Sequence, residues 1–287
     1  MKKDIHKKSQ EEDIHQLDAY ARALKRRGAS PNTIRTYEGS VRLFFSLYQQ
    51  LDMEQLKQFR GYLLSHFSPS TANCRICGMN QYLDFLSEER AETCRYRLDT
   101  VKSHKNPYLD SIISNEDYNR LKEGLKKDQN WTGYFLVRIL ACTGVRVGEL
   151  VQIKAEHLKV GCLDLCSKGK KVRRIYFPKD LQEEVLGWLE ASGISSGFLF
   201  ANAQGLPLST RSINRALHVM ARRYGIPPEQ VHPHAFRHLF AKNFLKEYND
   251  ISLLADLLGH NSIKTTRIYL TKSTPEQRAD IDRIVTW

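Results

Sequence analysis

The sequence lacks a long apolar run. No stretch of its 287 residues approaches the roughly 20 consecutive apolar residues of a membrane-spanning helix. The segment that follows Met1 carries lysines but not the apolar stretch of a secretion signal. We therefore expect a cytoplasmic protein with no membrane partner, and we expect its six cysteines to be reduced thiols.

Metal ligands at a useful spacing are also scarce. Cys74 and Cys77 have the spacing of half a zinc knuckle, and Cys162 with Cys166 is the candidate for the other half. The second pair lies in a strand-like run, and no histidine is placed to complete the set. The sequence also offers no acidic cluster suited to Mg²⁺. We expect no metal site.

Acidic residues are outnumbered. The 44 lysines and arginines exceed the 32 aspartates and glutamates, which gives a net charge of +12 and a pI near 9.4. Hydrophobic residues at 41 % and charged residues at 26 % are typical of a folded protein. The excess favours a polyanionic partner, because lysine and arginine release counterions from phosphates. The alternative is a soluble protein that is basic without such a partner.

Helical periodicity dominates the first third of the chain. We predict a tail over residues 1–10 and a domain of four helices over residues 11–92. Gly28 ends the first helical run. Ser30 and Ser68 each supply an N-cap followed by proline, which favours a helix start. Basic residues on the outer faces are explained by a DNA footprint or by a solvated surface.

The pattern then changes. Residues 93–107 are polar and basic and lack a sustained period, which predicts a linker. Residues 108–287 predict a second domain that is mostly helical and ends in an amphipathic helix. Strand-like runs at 162–166 and 172–177 predict a hairpin with a lysine-rich tip. The expected fold class is mainly α with a small β-sheet.

Cationic side chains mark helix junctions in the second domain. Arg146 lies two residues after Gly144, at the junction of two predicted helices, where unpaired amides and a guanidinium can meet an anion. Glu149 is expected to orient this arginine or to cap the helix. His234, Arg237 and His238 share one helix face. Two histidines four apart also suit zinc, but the metalloprotease pattern has glutamate directly after the first histidine, and this sequence has alanine. We favour phosphate binding.

Three more residues complete a chemical set. His260 follows an apolar helix, Tyr269 lies nearby, and Lys168 lies at the hairpin tip. Alone, such a tyrosine is ordinarily core and such a lysine is ordinarily solvated. Together with the arginines and the other histidines, they have the chemistry of transesterification at a phosphodiester. Arginines stabilise the transition-state charge, a histidine moves the phenol proton, and a lysine protonates the departing oxygen. No cofactor is expected.

Four segments resemble the signature boxes of the tyrosine recombinases, also called the phage integrase family. They are residues 143–150 (TGVRVGEL), 234–238 (HAFRH), 257–260 (LLGH) and 265–269 (TTRIY). The lysine hairpin lies between the first two boxes, as in that family, and the resemblance covers nearly the whole chain. It implies that residues 11–92 form a SAM-like core-binding domain and that residues 108–287 form a mixed α+β catalytic domain.

The resemblance also implies a role for each residue of the set. Arg146 and Arg237 would clamp the phosphate, and His260 would hydrogen-bond it. Tyr269 would be the nucleophile and His234 the general acid/base, with His238 in support. Lys168 would be the general acid that protonates the 5′ oxygen. Lys170 and Lys171 are alternatives to Lys168, because a small error in register exchanges these lysines.

A 3′-phosphotyrosyl intermediate and a Holliday junction are further implications of the resemblance. The expected partners are double-stranded DNA with paired inverted-repeat core sites and three more protomers, identical ones or those of a second recombinase, in the nucleoid. We expect no arm-binding domain before residue 11, so the resemblance is closest to the short Xer-type enzymes. A type IB topoisomerase-like activity and a catalytically silent DNA-binding relative are the alternatives.

In this family the C-terminal tail docks on a neighbouring protomer. Deleting residues 275–287 is therefore expected to impair assembly of the synaptic complex and to spare folding of the monomer. Native gels of protein–DNA complexes measure the first effect, and circular dichroism measures the second. Normal recombination by the truncated protein would contradict the expectation.

Overall fold

The computed structural model describes residues 16–90, 96–102, 113–166, 172–260, 262–270, 278, 281–283 and 285. The chain divides into two compact units, Met1–Lys105 and Asn106–Trp287. The described residues are mostly helical, with one antiparallel pair of strands, so the predicted fold class is confirmed. Within these ranges, no helix combines the length and apolar character needed to cross a membrane.

The described residues of the first unit form four helices. Helix α1 is described over residues 16–26 and is followed by α2 (Pro31–Leu47), α3 (Met53–His66) and α4 (Pro69–Arg90). The Ser30 hydroxyl accepts the backbone N–H of Thr33 at 3.1 Å, which caps α2 as the sequence predicts. Aromatic rings fill the core between the helices. Phe44 and Phe59, for example, are fully buried and meet edge-on at 5.2 Å.

Residues 96–102 form no helix or strand and lie along α4. The side-chain amide of Asn80 pairs with both backbone groups of Leu98 at 2.9 Å. Two helical turns earlier, Asn73 pairs in the same way with Val101, at 2.8 and 2.9 Å. These contacts satisfy backbone groups that otherwise need water. This part of the predicted linker is therefore packed on the first unit.

The second unit surrounds one larger core. Its elements in chain order are α5 (Asn115–Lys127), α6 (Trp131–Thr143), α7 (Val147–Leu150), α8 (Ala155–Val160), β1 (Cys162–Cys166), β2 (Val172–Tyr176), α9 (Lys179–Ala191), α10 (Thr210–Arg223), a 3₁₀ turn (Pro228–Gln230), α11 (Pro233–Glu247), α12 (Ile251–Leu258), α13 (Ile263–Thr266) and a second 3₁₀ turn (Arg267–Leu270). Helix α6 is apolar almost all round and packs against α11. This pairing brings the end of α6 close to the start of α11.

Strands β1 and β2 form the predicted hairpin. They pair antiparallel, with Leu163 opposite Ile175 and Leu165 opposite Arg173. Alternate residues of β2 face the interior, and Ile175 packs there against the core of the unit. The tip that carries Lys168, Lys170 and Lys171 lies outside the described residues.

Gly144 ends α6 in a conformation that suits glycine. Its φ is 58°, and a Cβ at this position would lie 2.6 Å from Cδ1 of Phe240. Gly144→Ala is expected to lower the free energy of unfolding by about 2 kcal/mol, because it adds both backbone strain and a clash. The midpoint of urea unfolding measures the loss.

Gly187 is the matched control for this substitution. It lies in α9 and lacks a positive φ, and a Cβ added there would meet none of the described residues within 4 Å. Gly187→Ala is expected to stabilise the protein by up to about 1 kcal/mol, since alanine favours the helix. Equal destabilisation by the two substitutions would contradict the account.

Candidate active site

Arg237 lies at the centre of the site, with 2 % of its surface exposed. It belongs to the first turns of α11, whose start is capped by the ring of His232. Its two terminal nitrogens donate to the carbonyl oxygens of Gly144 at 2.7 Å and of Leu258 at 2.5 Å. These oxygens lie at the C-terminal ends of α6 and α12, where the helix dipole is negative. Backbone groups of two helices therefore hold the buried cation.

Arg146 precedes the short helix α7 and is held by Glu149. The Glu149 carboxylate accepts the backbone N–H of Arg146 at 2.8 Å and its Nη1 at 2.9 Å. The Nη2 atom of Arg146 donates to the carbonyl of Gly259 at 3.0 Å. The arginine side chain is still 44 % exposed, so it is accessible from solvent while its direction is fixed. Glu149 thus occupies the place of an orienting residue.

Arg173 joins this group, although no motif in the sequence marks it. Its side chain is 7 % exposed, forms an ion pair with Glu149, and donates from Nε to the carbonyl of Leu257 at 3.1 Å. The signal that identifies it is the alternation of β2, which puts Arg173 on the same inward face as Ile175. A charged residue at a core-facing position indicates a buried ion pair, because unpaired charges are almost never fully buried.

His260 is held between Arg237 and Thr266. Its Nε2 lies 3.0 Å from Nη2 of Arg237, and its Nδ1 lies 2.8 Å from the hydroxyl oxygen of Thr266. A guanidinium only donates, so Nε2 is the acceptor and Nδ1 carries the proton of the neutral ring. Thr266 is fully buried and fixes the orientation of the ring, a role that its place in the sequence does not reveal.

Tyr269 lies beside two histidines. Its ring centre is 4.9 Å from that of His238, edge-on, and 6.1 Å from that of His260, nearly parallel. The ring centre of His234, one turn earlier in α11, lies 4.7 Å from that of His238. The other side of Tyr269 packs against the small apolar cluster around Leu258. The phenol is therefore half-buried and belongs to the same cluster as the arginines and histidines.

The surroundings shift the pKa values of these groups. Burial raises the pKa of Tyr269, and the positive charges of Arg237 and Arg146 oppose that shift. Burial, together with neighbouring cationic and imidazole groups, lowers the pKa of His238 and of His260 to about 4 each. The pKa of His234 is lowered for the same reasons. At neutral pH the site therefore holds a neutral phenol beside neutral imidazoles, which can accept a proton.

The structure brings seven of the eight singled-out residues into this one site. They are Arg146, Glu149, His234, Arg237, His238, His260 and Tyr269. Lys168 is the eighth and lies outside the described residues. In the part of the chain that the structure describes, no group of three His, Cys, Asp or Glu side chains is arranged to hold a metal ion. The Cys74 and Cys77 thiols are exposed on α4 and free.

Comparison with known families identifies the chain. Residues 111–276 match the model of the phage integrase family. The chain is 30 % identical over 276 residues to the tyrosine recombinase XerA of Pyrococcus furiosus, covering 93 % of each chain. The chain belongs to the phage integrase family. The resemblance seen in the four sequence boxes is thereby confirmed.

Other relatives agree with this membership. The tyrosine recombinase XerH of Campylobacter jejuni is 26 % identical over 283 residues, which cover 90 % of this chain and 79 % of the relative. The fold matches a lambda integrase tetramer bound to a Holliday junction with a TM-score of 0.72 and 18 % identity, over 91 % of this chain and 79 % of the other. The chain is a tyrosine site-specific recombinase, and neither alternative activity is favoured.

The lowered pKa of His260 predicts a pH-dependent stability. The unfolded chain gains a proton on this histidine near its ordinary pKa of 6.5, whereas the folded chain gains it only near 4. The free energy of unfolding is therefore expected to fall as the pH is lowered from 6.5 to 4. His260→Gln should reduce this fall, as measured by urea midpoints across the range. Between pH 7 and 8 the difference in midpoint between the two proteins should be constant, and a parallel fall in both proteins below 6.5 would contradict the prediction.

Proposed function

We propose that Tyr269 is the nucleophile of this recombinase and that Arg146 and Arg237 bind the DNA phosphate that it attacks. The observation that carries the proposal is the placement of the phenol ring against His238 and near His260, whose Nε2 contacts Arg237. Arg146 donates to the carbonyl of the residue before His260. Gly259 and His260 thus lie next to both guanidiniums, and His260 also lies near the phenol ring.

The two arginines contribute in different ways. Backbone oxygens fix Arg237, so its guanidinium needs no reorganisation when charge develops on the phosphate. Arg146 is more exposed and is aimed by Glu149, which suits a group that engages DNA from solvent. Arginine presents paired donors that match phosphate geometry. His260, fixed by Thr266, adds a hydrogen-bonding imidazole on the same side.

Proton transfer falls to the histidines of α11. The phenolic oxygen forms a bond to phosphorus while its proton passes to a neutral imidazole, and the bond from phosphorus to the 5′ oxygen breaks. We assign the acid/base role to His234 and a supporting role to His238, whose ring lies near those of both His234 and Tyr269. Lys168 is proposed as the acid that protonates the 5′ oxygen, with Lys170 and Lys171 as the alternatives. Attack by a 5′ hydroxyl reverses the step and needs no cofactor.

Double-stranded DNA with paired inverted-repeat core sites is the proposed substrate. The first unit, with residues 11–92 as the core-binding domain, and the second unit, with residues 108–287 as the catalytic domain, supply the DNA-binding surfaces. Four protomers, of one kind or two, are proposed to act on two duplexes through a Holliday junction. The likeness to a lambda integrase tetramer on such a junction supports this assembly. A net charge of +12 is in keeping with a nucleoid location.

Tyr269→Phe tests the nucleophile. The substitution removes the attacking oxygen and keeps the ring that packs against His238, so covalent protein–DNA adducts on a nicked suicide substrate should disappear. Binding of the same DNA should stay within a few fold, measured by gel shift. Tyr248→Phe is the matched control, because this exposed tyrosine at the end of α11 is expected to be dispensable for the chemistry. Undiminished adducts with Tyr269→Phe would contradict the assignment.

A further inference from the structure

Arg173 is the buried charge that the proposed mechanism does not use. It lies on the inward face of β2 with only 7 % of its side chain exposed. Its contacts are the Glu149 carboxylate and the carbonyl of Leu257. Its Nη2 is buried and has no hydrogen-bond partner among the described residues. A buried and incompletely paired guanidinium is costly, so its presence calls for an explanation.

The explanation begins with the charge on Glu149. Both oxygens of this carboxylate are used, because one accepts Nη1 of Arg146 and the other accepts Arg146 N–H and pairs with Arg173. Although burial opposes ionisation, these hydrogen bonds and charges lower the pKa of Glu149, so it is an anion at neutral pH. If the Glu149 carboxylate were paired with Arg146 alone, its negative charge would cancel the positive charge that Arg146 presents to a phosphate. With Arg173 as a second partner, the three groups together carry one positive charge.

Arg173 also contacts the turn on which the site converges. Its Nε bonds the carbonyl of Leu257, and its side chain lies so close to Gly259 that a Cβ there would collide with Cδ of Arg173. The carbonyl of Gly259 accepts Arg146, and the next residue is His260. The field of Arg173 also reaches Arg237 and His260, since it contributes to the lowering of both pKa values.

We infer that Arg173 is a positioning residue that offsets the charge of Glu149, so that Glu149 can aim Arg146 without cancelling its charge toward the scissile phosphate. The inference rests on the proposed function. It requires that Arg173 act through Glu149 and without touching DNA. A purely structural arginine would affect folding and leave the electrostatics of the phosphate site unchanged.

The first test compares two variants, each of which removes the positive charge on one face of β2. Arg173→Met is expected to slow single-turnover cleavage of a nicked suicide substrate about 10- to 100-fold at saturating protein, by analogy with residues that orient the ligands of metal ions. DNA affinity should stay within a few fold. Arg174→Met is the matched control, because Arg174 is the next residue, is 49 % exposed and pairs with Asp164 on the outward face. Equal rates for Arg173→Met and Arg174→Met would overturn the inference.

The second test uses Glu149→Gln, which keeps an acceptor for Arg146 and removes the negative charge. In the wild-type background this substitution should slow cleavage, because Arg146 loses its ionic partner. In the Arg173→Met background it should speed cleavage, because it removes a carboxylate that is no longer offset. Removing one partner of a buried ion pair also costs stability, so the cleavage rates are compared at a temperature at which all four proteins are folded by circular dichroism. Slower cleavage in both backgrounds would overturn the inference.

The third test changes the DNA. A methylphosphonate at the scissile position carries no charge there. On that substrate, the cleavage rate of Arg173→Met should approach the cleavage rate of the unsubstituted protein. An unchanged penalty would point to a structural role and overturn the inference. Arg173→Lys, which keeps the charge beside Glu149, should recover most of the cleavage rate on ordinary DNA. If Arg173→Met does not fold, as judged by circular dichroism, Arg173→Gln replaces it in all three tests.

These measurements separate the inference from the function on which it rests. If the unsubstituted protein forms no covalent adduct with DNA, the proposed nucleophilic chemistry fails, and the inference fails with it. If the unsubstituted protein forms adducts and Arg173→Met behaves like Arg174→Met, the chemistry stands and only the role of Arg173 is wrong.

Discussion

The site depends on holding three guanidinium groups close together, two of them buried and that of Arg146 partly exposed. Arg146, Arg173 and Arg237 repel one another, and the pKa of Arg237 is lowered to about 10 by burial and by the other two. One carboxylate and the carbonyl oxygens at the ends of α6 and α12 hold them in place. Burying positive charge in this way is unfavourable unless an anion shares the site. The arrangement is therefore suited to bind a phosphate.

Helix ends are the structural means by which the site is assembled. Gly144 ends α6, Arg146 begins α7, Pro233 opens α11 and Gly259 ends α12, so four helix termini meet at one place. Termini leave backbone groups unpaired, and those carbonyls receive the arginine side chains. Arg146, Arg237 and His260 are distant in sequence and become neighbours because each lies at or near one of these termini.

Much of this was predictable from the sequence, for identifiable reasons. The Ser30 cap and the alternation of β1 and β2 are local patterns, and local physics determines them. The arginines and histidines stood out because helix junctions rarely need them. Arg173 was not predicted, since its partner Glu149 lies 24 positions away and only the packed fold brings them together. The pairing of Asn73 and Asn80 with residues 98 and 101 similarly cannot be predicted until α4 is placed.

The central claim is that the phenol of Tyr269 and the guanidiniums of Arg146 and Arg237 meet around a single DNA phosphate. A crystal structure of the Tyr269→Phe protein bound to its DNA site measures this most directly. The account predicts that oxygens of one phosphate lie within about 3.2 Å of both guanidiniums, with the ring at position 269 beside that phosphate. Guanidiniums bound to different phosphates, or a ring at position 269 that lies away from the phosphate bound by both guanidiniums, would contradict it.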